Sequence, residues 1–436
     1  MTAPLRSAAL FLLTLLAALL APASAGALET VPGEVVVKFR AGATAAAAAR
    51  GPEPVGHPRT LRVRSVPAAL RRLRARADVV YAVPNVKARI AGFVPNDPGR
   101  GKTPGGWAEI QWNFAGPFGV NAPDAWQRMI ELGRAGGRGV TVAVLDTGVA
   151  YRARRGFLQS PDLTPSRFVQ GYDFVDGDPF ANDRNGHGTH VASTIAERTG
   201  NGYGLTGLAY NATIMPVRVL DDRGEGDAAA IARGVRWAAR RGAQVINLSL
   251  EFGTEVQATE IPELLDAIRY AHRRGSLVVG ASGNDGSPAL AYPARATDVL
   301  AVGSTTEHGC LSSFSNTGSG LDLVAPGGGE DAPLADDPSC APDIRSGRDI
   351  SQVTLMGAGK RRFGIPGTYE GTSMAAPHAS AVAALAIASG AIGPDPSPAA
   401  IERHLERTAR DLGAPGFDAR YGAGLLDAAA AVRPAP

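Results

Sequence analysis

The chain has 436 residues, 44% of them apolar and 19% charged, and a net charge of +3 at neutral pH. That composition excludes an intrinsically disordered chain. So small a charge, with no Lys/Arg cluster interleaved with aromatics, excludes a nucleic-acid partner. The length leaves room for one large domain and accessory segments.

Residues 1–25 read as a secretory signal. Arg6 supplies the positive start, Ala8 to Leu20 is apolar, and Ala23-Ser24-Ala25 offers a small-x-small cleavage site. The apolar run is short for a membrane span, so no membrane attachment is expected once the signal is removed.

Residues 26–92 form a second compositional block. Gly33 to Phe39 predicts a strand, Ala41 to Ala49 and Leu70 to Arg76 predict helices, and Val79 to Val83 predicts a strand ending at Pro84. This is a small α+β unit, marginal in stability by itself. It holds twelve Lys/Arg against four Asp/Glu, a net of +8, which with +1 from Arg6 leaves −6 for residues 93–436. Opposite charge on two parts of one chain suits an intramolecular partnership.

From residue 139 onward short apolar runs alternate with amphipathic patterns. Val140–Leu145, Thr213–Leu220, Gln244–Leu248, Leu277–Gly280, Val299–Val302 and Leu321–Ala325 read as buried strands. Asp227–Arg241 and Glu260–Arg274 carry apolar residues at three- and four-residue spacing. The alternation predicts an α/β fold, a mainly parallel sheet with helices on both faces. In such sheets functional residues gather beyond the carboxyl ends of the strands. Asp146 closes one predicted strand, and Asn247 to Leu250 closes another.

Three short segments carry the chemistry: Val142-Ala-Val-Leu-Asp-Thr-Gly148, Asn185-Gly-His-Gly-Thr-His-Val-Ala192 and Gly371-Thr-Ser-Met-Ala-Ala-Pro-His378. A hydroxyl needs an adjacent base to act as a nucleophile, and the base needs an orienting carboxylate. Ser373, His187 and Asp146 supply one of each. Ser373 precedes an Ala- and Gly-rich run to Gly390 that predicts a buried helix, whose free amides suit an oxyanion. A lone Gly-Thr-Ser is more often a helix cap. A lone Asp-Thr-Gly also occurs in aspartic proteases, but that chemistry needs a second copy and the chain has none.

The order Asp, His, Ser resembles the subtilisin-like serine proteases (subtilases), with the similarity running from about residue 108 to 428. The resemblance implies a secreted serine endopeptidase acting through an acyl-enzyme on protein or peptide substrates. It gives Asp146, His187 and Ser373 the triad roles and makes His190 a structural neighbour of the base. Asn284 of Ala281-Ser-Gly-Asn284 becomes the oxyanion donor. Ser249, Leu250 and Glu251, with Gly283 and Asp285, are implied as substrate-binding. Glu251 stands where the family often has glycine, and the two carboxylates Glu251 and Asp285 are open to two readings, acceptance of basic P1 side chains or two solvated loop carboxylates with broad specificity. Ser193 and Ser380 also replace common glycines, an effect expected on packing more than on chemistry. The sedolisin type, which uses Glu and Asp with Ser, is disfavoured by His187-Gly-Thr-His190.

The same resemblance makes residues 26–92 an inhibitory propeptide that assists folding, cut between about Pro84 and Pro95. Residues 93–436 are then the catalytic domain, expected as a monomer. It also implies structural calcium at Asp162 of Ser160-Pro-Asp-Leu163, with the loop Thr199 to Gly204. Asp173, Asp176, Asp178 and Asp183 form a second acidic group suited to a hard cation. Cys310 and Cys340 are an even pair that suits a disulfide in an oxidising compartment, with two buried thiols as the alternative. The long polar stretch between Pro326 and Gly371 is open to two readings, a wall of the cleft or an ion site.

Overall fold

A computed structural model describes residues 30–40, 58–86, 93–154, 156–164, 167–334, 337, 340 and 347–434. The signal segment, the alanine-rich stretch at 41–49 and residues 87–92 lie outside these. The chain divides into two compact units, Met1–Ala91 and Gly92–Pro436.

In the first unit β1 (Thr30–Phe39) pairs antiparallel with β2 (Arg59–Arg62) on one side and β3 (Val79–Val86) on the other. Helix α1 (Val66–Arg74) covers one face, where Val35, Val37, Ala69, Leu73, Val79 and Ala82 are buried together. The sequence pattern did not announce β2, a short strand rich in arginine. The expected stop at Pro84 is corrected as well, since β3 runs on to Val86. As an edge strand, β3 can carry a residue that lacks an N–H.

The second unit is built on a seven-stranded sheet. Its strands are β4 (Thr141–Asp146), β5 (Tyr172–Asp173), β6 (Thr213–Arg218), β7 (Val245–Leu248), β8 (Leu277–Ala281), β9 (Val299–Thr305) and β10 (Leu323–Pro326), in spatial order β10-β9-β8-β7-β4-β6-β5. Every pairing in it is parallel. Successive side chains along β4 point to opposite faces: Val142 and Val144 enter one core, Ala143 and Leu145 the other. This is why a parallel strand reads as a continuous apolar run.

The first core holds α3 (His187–Ala196) and α6 (Thr372–Ser389); the second holds α4 (Ala228–Arg240) and α5 (Pro262–Arg273). Helix α2 (Ala122–Glu131) and helix α7 (Pro398–Thr408) complete the first layer. Helix α6 is buried on nearly all sides, as its Ala-rich sequence requires. Asp227 caps α4 by accepting the Ala230 N–H at 2.8 Å.

Cys310 and Cys340 are joined by a disulfide. The stretch between Pro326 and Gly371 includes a hairpin, β11 (Thr354–Met356) with β12 (Arg362–Gly364). It packs on α3: Ser193 donates to the Val353 carbonyl at 3.1 Å, and His190 Nε2–H donates to that of Ile350 at 3.0 Å. Ser193 therefore does more than fill space, since its hydroxyl ties Val353, the residue before β11, to the helix that starts at His187. Among the described residues, no helix is long and apolar enough to cross a membrane.

Candidate active site

Asp146 is the last residue of β4 and is wholly buried. The parallel register sets Leu145 beside Leu248 and Asp146 beside Arg218, so Ser249 to Glu251 leave the sheet next to the carboxylate. His187 is the first residue of α3. Its Nδ1–H donates to Asp146 at 2.8 Å to Oδ1 and 3.0 Å to Oδ2, which leaves Nε2 as the basic atom. Gly188 permits this approach, because a Cβ there would stand 3.0 Å from Asp146 Oδ1 and 2.2 Å from the Gly148 oxygen.

Asp183 fixes the turn into α3. It accepts the N–H groups of Asn185, Gly186 and Thr189 at 2.8, 3.0 and 3.1 Å. It also accepts the hydroxyls of Thr147 at 3.0 Å and Thr189 at 2.6 Å. An anion at a helix N-terminus satisfies amides that have no partner within the helix. The four acidic residues 173, 176, 178 and 183 do not converge on one ion. Asp173 and Asp176 take the buried Arg218 guanidinium at 2.8 and 2.9 Å, Asp178 accepts the Phe180 N–H, and Asp183 serves α3. Arginine is the cation there, which the spacing of the carboxylates could not reveal.

Three histidines crowd the region, and their environments separate them. Burial lowers the His187 imidazolium, but the Asp146 carboxylate and the charge of Asp183 outweigh it and hold the group above its ordinary 6.5. His190 is pushed down to about 3 by burial, and its ring stacks on Tyr369 at 4.2 Å. His378 is likewise pushed down to about 4; its Nδ1–H donates to the Met374 carbonyl, so Nε2 accepts from Asn113. Of the three, only His187 is held above the ordinary imidazole value, while burial keeps the other two neutral.

Ser373 is the second residue of α6, where backbone N–H groups have no partner one turn back. Its hydroxyl donates to the Ser249 carbonyl at 3.2 Å. Pro377 lies four residues on, and having no N–H it cannot bond the Ser373 carbonyl. Asn284 follows β8; its Oδ1 accepts the Thr372 N–H at 2.8 Å and the Thr372 hydroxyl at 3.1 Å. Its Nδ2 donates to Glu251 Oε1 at 2.9 Å, and its backbone N–H donates to Glu251 Oε2 at 2.8 Å.

A cavity of about 480 Å³ has His187 and Ser373 on its wall beside Ser249, Leu250 and Glu251, while Asn284 stands outside that wall and meets it through Glu251. Gly283, which does not line the cavity, has a φ of 112°, and its N–H donates to the Thr372 hydroxyl at 3.3 Å. Asp285 is exposed and outside the cavity wall, its N–H bonded to Asn316 Oδ1 at 3.0 Å. Ser380 in α6 donates to Asn247 Oδ1 at 2.8 Å, and Asn247 Nδ2 donates to Ser249 Oγ at 2.9 Å. The hydroxyl at 380 thus steadies the segment that lines the cavity.

Asp162 is fully buried, with Oδ1 bonded to Asn201 Nδ2 and Oδ2 to the Leu205 N–H. Near it lie Asp97, which accepts the Gly200 and Asn201 N–H groups, and the buried Glu197, whose Oε2 lacks a hydrogen-bond partner. Burial pushes Asp162 up to about 7 and raises Glu197, with the charges of Asp162 and Asp97 adding to the latter. Buried oxygen donors of one sign suit a hard divalent cation, whereas the carboxylates whose oxygens come within 4.8 Å of one another among the described residues are a different set, Asp322, Glu402 and Glu406. Glu197 and Asp97 escape a reading by spacing because they meet Asp162 only through the fold.

A model of the subtilase family (Peptidase S8) matches residues 137–424. The chain is 34% identical to the thermophilic serine proteinase of Bacillus sp. (strain AK1) over 404 residues, which is 90% of this chain and 86% of the other. Subtilisin Savinase of Lederbergia lenta is 37% identical over 320 residues, 73% of this chain and 98% of that enzyme. A solved protease structure from Pseudoalteromonas arctica PAMC 21717 aligns with a TM-score of 0.60 at 33% identity, covering 78% of this chain and 99% of the other.

Proposed function

The chain belongs to the subtilase family and is a subtilisin-like serine endopeptidase, and from that premise we propose that Asp146, His187, Ser373 and Asn284 are its catalytic groups and that it is exported as a self-processing zymogen. The observation that carries the assignment is the meeting of three distant segments at one cavity, with His187 Nδ1 held 2.8 Å from a buried carboxylate.

In the reaction the Ser373 hydroxyl turns from the Ser249 carbonyl to His187 Nε2 and gives it the proton as Oγ attacks the scissile carbonyl. Asp146 holds Nδ1–H and stabilises the imidazolium. The new oxyanion is taken by the Ser373 N–H and by Asn284 Nδ2. His187 returns its proton to the leaving amine, and water then releases the acyl group by the same relay. The substrate main chain lies extended beside Ser249 to Glu251. Calcium would be held by Asp162, with Glu197 and Asp97 beside it, and would supply the positive charge those buried carboxylates need.

Residues 1–25 are assigned to export and residues 26–92 to a removable inhibitory unit. The opposite charges of +8 and −6 support that division. Intact mass and N-terminal sequencing test it, on the wild type beside Ser373→Ala. A wild type trimmed to near residue 93 with an untrimmed mutant establishes self-processing. Equal trimming of both assigns maturation to another protease.

A further inference from the structure

Glu251 makes two bonds at the place where the oxyanion forms. One carboxylate oxygen receives the Asn284 N–H and the other receives Asn284 Nδ2, the same amide hydrogens' source that the tetrahedral intermediate requires. The amide cannot escape by rotating, because its Oδ1 is fixed by the Thr372 N–H and hydroxyl. Gly283 lets the carboxylate come this close: a Cβ on Gly283 would stand 2.8 Å from Glu251 Oε2. Glu251 also lines the same cavity as Ser373 and His187.

A negative charge bonded to the oxyanion donor competes for its hydrogens and repels the charge that develops on the substrate oxygen. An apolar side chain entering the cavity leaves that charge in place. A cationic one attracts it and draws it off Nδ2. We propose that Glu251 is a latch on the oxyanion donor that a lysine or arginine side chain at P1 releases. The peptidase therefore senses positive charge at P1 in turnover, more than in ground-state binding. This rests on the assignment of Ser373 and Asn284 above. Glu251 is a positioning residue in this scheme, since it acts through Asn284. Arg223 and Glu225 line the cavity as well and make up the rest of its charged wall.

The test uses the mature enzyme and two peptide substrates identical except at P1, one with arginine and one with citrulline, its neutral near-isostere. Active sites are first counted with a fluorophosphonate probe in the wild type, Glu251→Gln, Glu251→Gly and Ser373→Ala. The expected result is a kcat about tenfold higher for arginine in the wild type, with KM changed by no more than about threefold. Glu251→Gln and Glu251→Gly should raise kcat for citrulline and bring the arginine-to-citrulline ratio near one. A wild-type ratio near one overturns the latch, as does a ratio that survives Glu251→Gln. A preference expressed wholly in KM also overturns it, since that is an ordinary ion pair. If the probe fails to label the wild type, or labels Ser373→Ala equally, the assignment of Ser373 falls and the latch with it. The labelled fraction keeps a misfolded variant from being mistaken for an inactive one.

Discussion

The two halves of the cleft are built differently. On the acid–base side Asp146 and Asp183 are buried, all their partners lie within the protein, and His187 is locked in one tautomer. On the oxyanion side Asn284 is half-buried and Glu251 exposed, and the Asn284 amide is shared between Thr372, which holds its oxygen, and Glu251, which takes its N–H groups. Burial makes the first half a fixed base whose geometry needs no substrate. Exposure makes the second half adjustable, so that what enters the cavity decides whether the donor is free. Rigidity is placed where the proton must move by a defined path, and compliance where different side chains have to be accepted.

Breaking the rigid half should have the largest effect. Asp146→Asn should lower kcat by on the order of 10⁴, because the amide favours the wrong imidazole tautomer. Steady-state kinetics on active-site-titrated protein would show it, and a loss below tenfold would mean that His187 is oriented by something else. Asn284→Ala breaks the adjustable half and should lower kcat by about 10²–10³ with little change in KM. A larger KM effect than kcat effect would point to substrate binding as the role of Asn284. Asp183→Asn sharpens the comparison with the smallest change in rate. With His187 as the proposed base, catalysis needs its neutral form, so kcat/KM should rise with pH through a pKa that burial lowers but Asp146 and Asp183 hold above 6.5. Removing the Asp183 charge should move that rising limb toward acid pH, and an unmoved limb would confine Asp183 to a packing role.

The alternation of strands and helices was legible because a parallel strand is buried on both faces and leaves a continuous apolar run. The proposed Asp146, His187 and Ser373 were legible because each has a glycine within two positions, as at Gly188, where a larger residue would strike Asp146. The strand β2 was hidden by its composition, since the half-buried Arg59 and Leu61 alternate with the exposed Thr60 and Arg62 along a sheet edge.

The chain's own order thus determined the architecture of the large unit and which residues could meet as orienting carboxylate, base and nucleophile, since both depend on local periodicity and on space beside the backbone. Only the tertiary structure decided that Arg218 serves as counter-charge to Asp173 and Asp176, that Glu197 stands buried beside Asp162, and that Glu251 bonds the very amide Asn284 would offer to an oxyanion. Those partners lie far apart in sequence, and the free energy of a charge is set by what the fold brings within a few ångströms of it, which no spacing in the chain encodes.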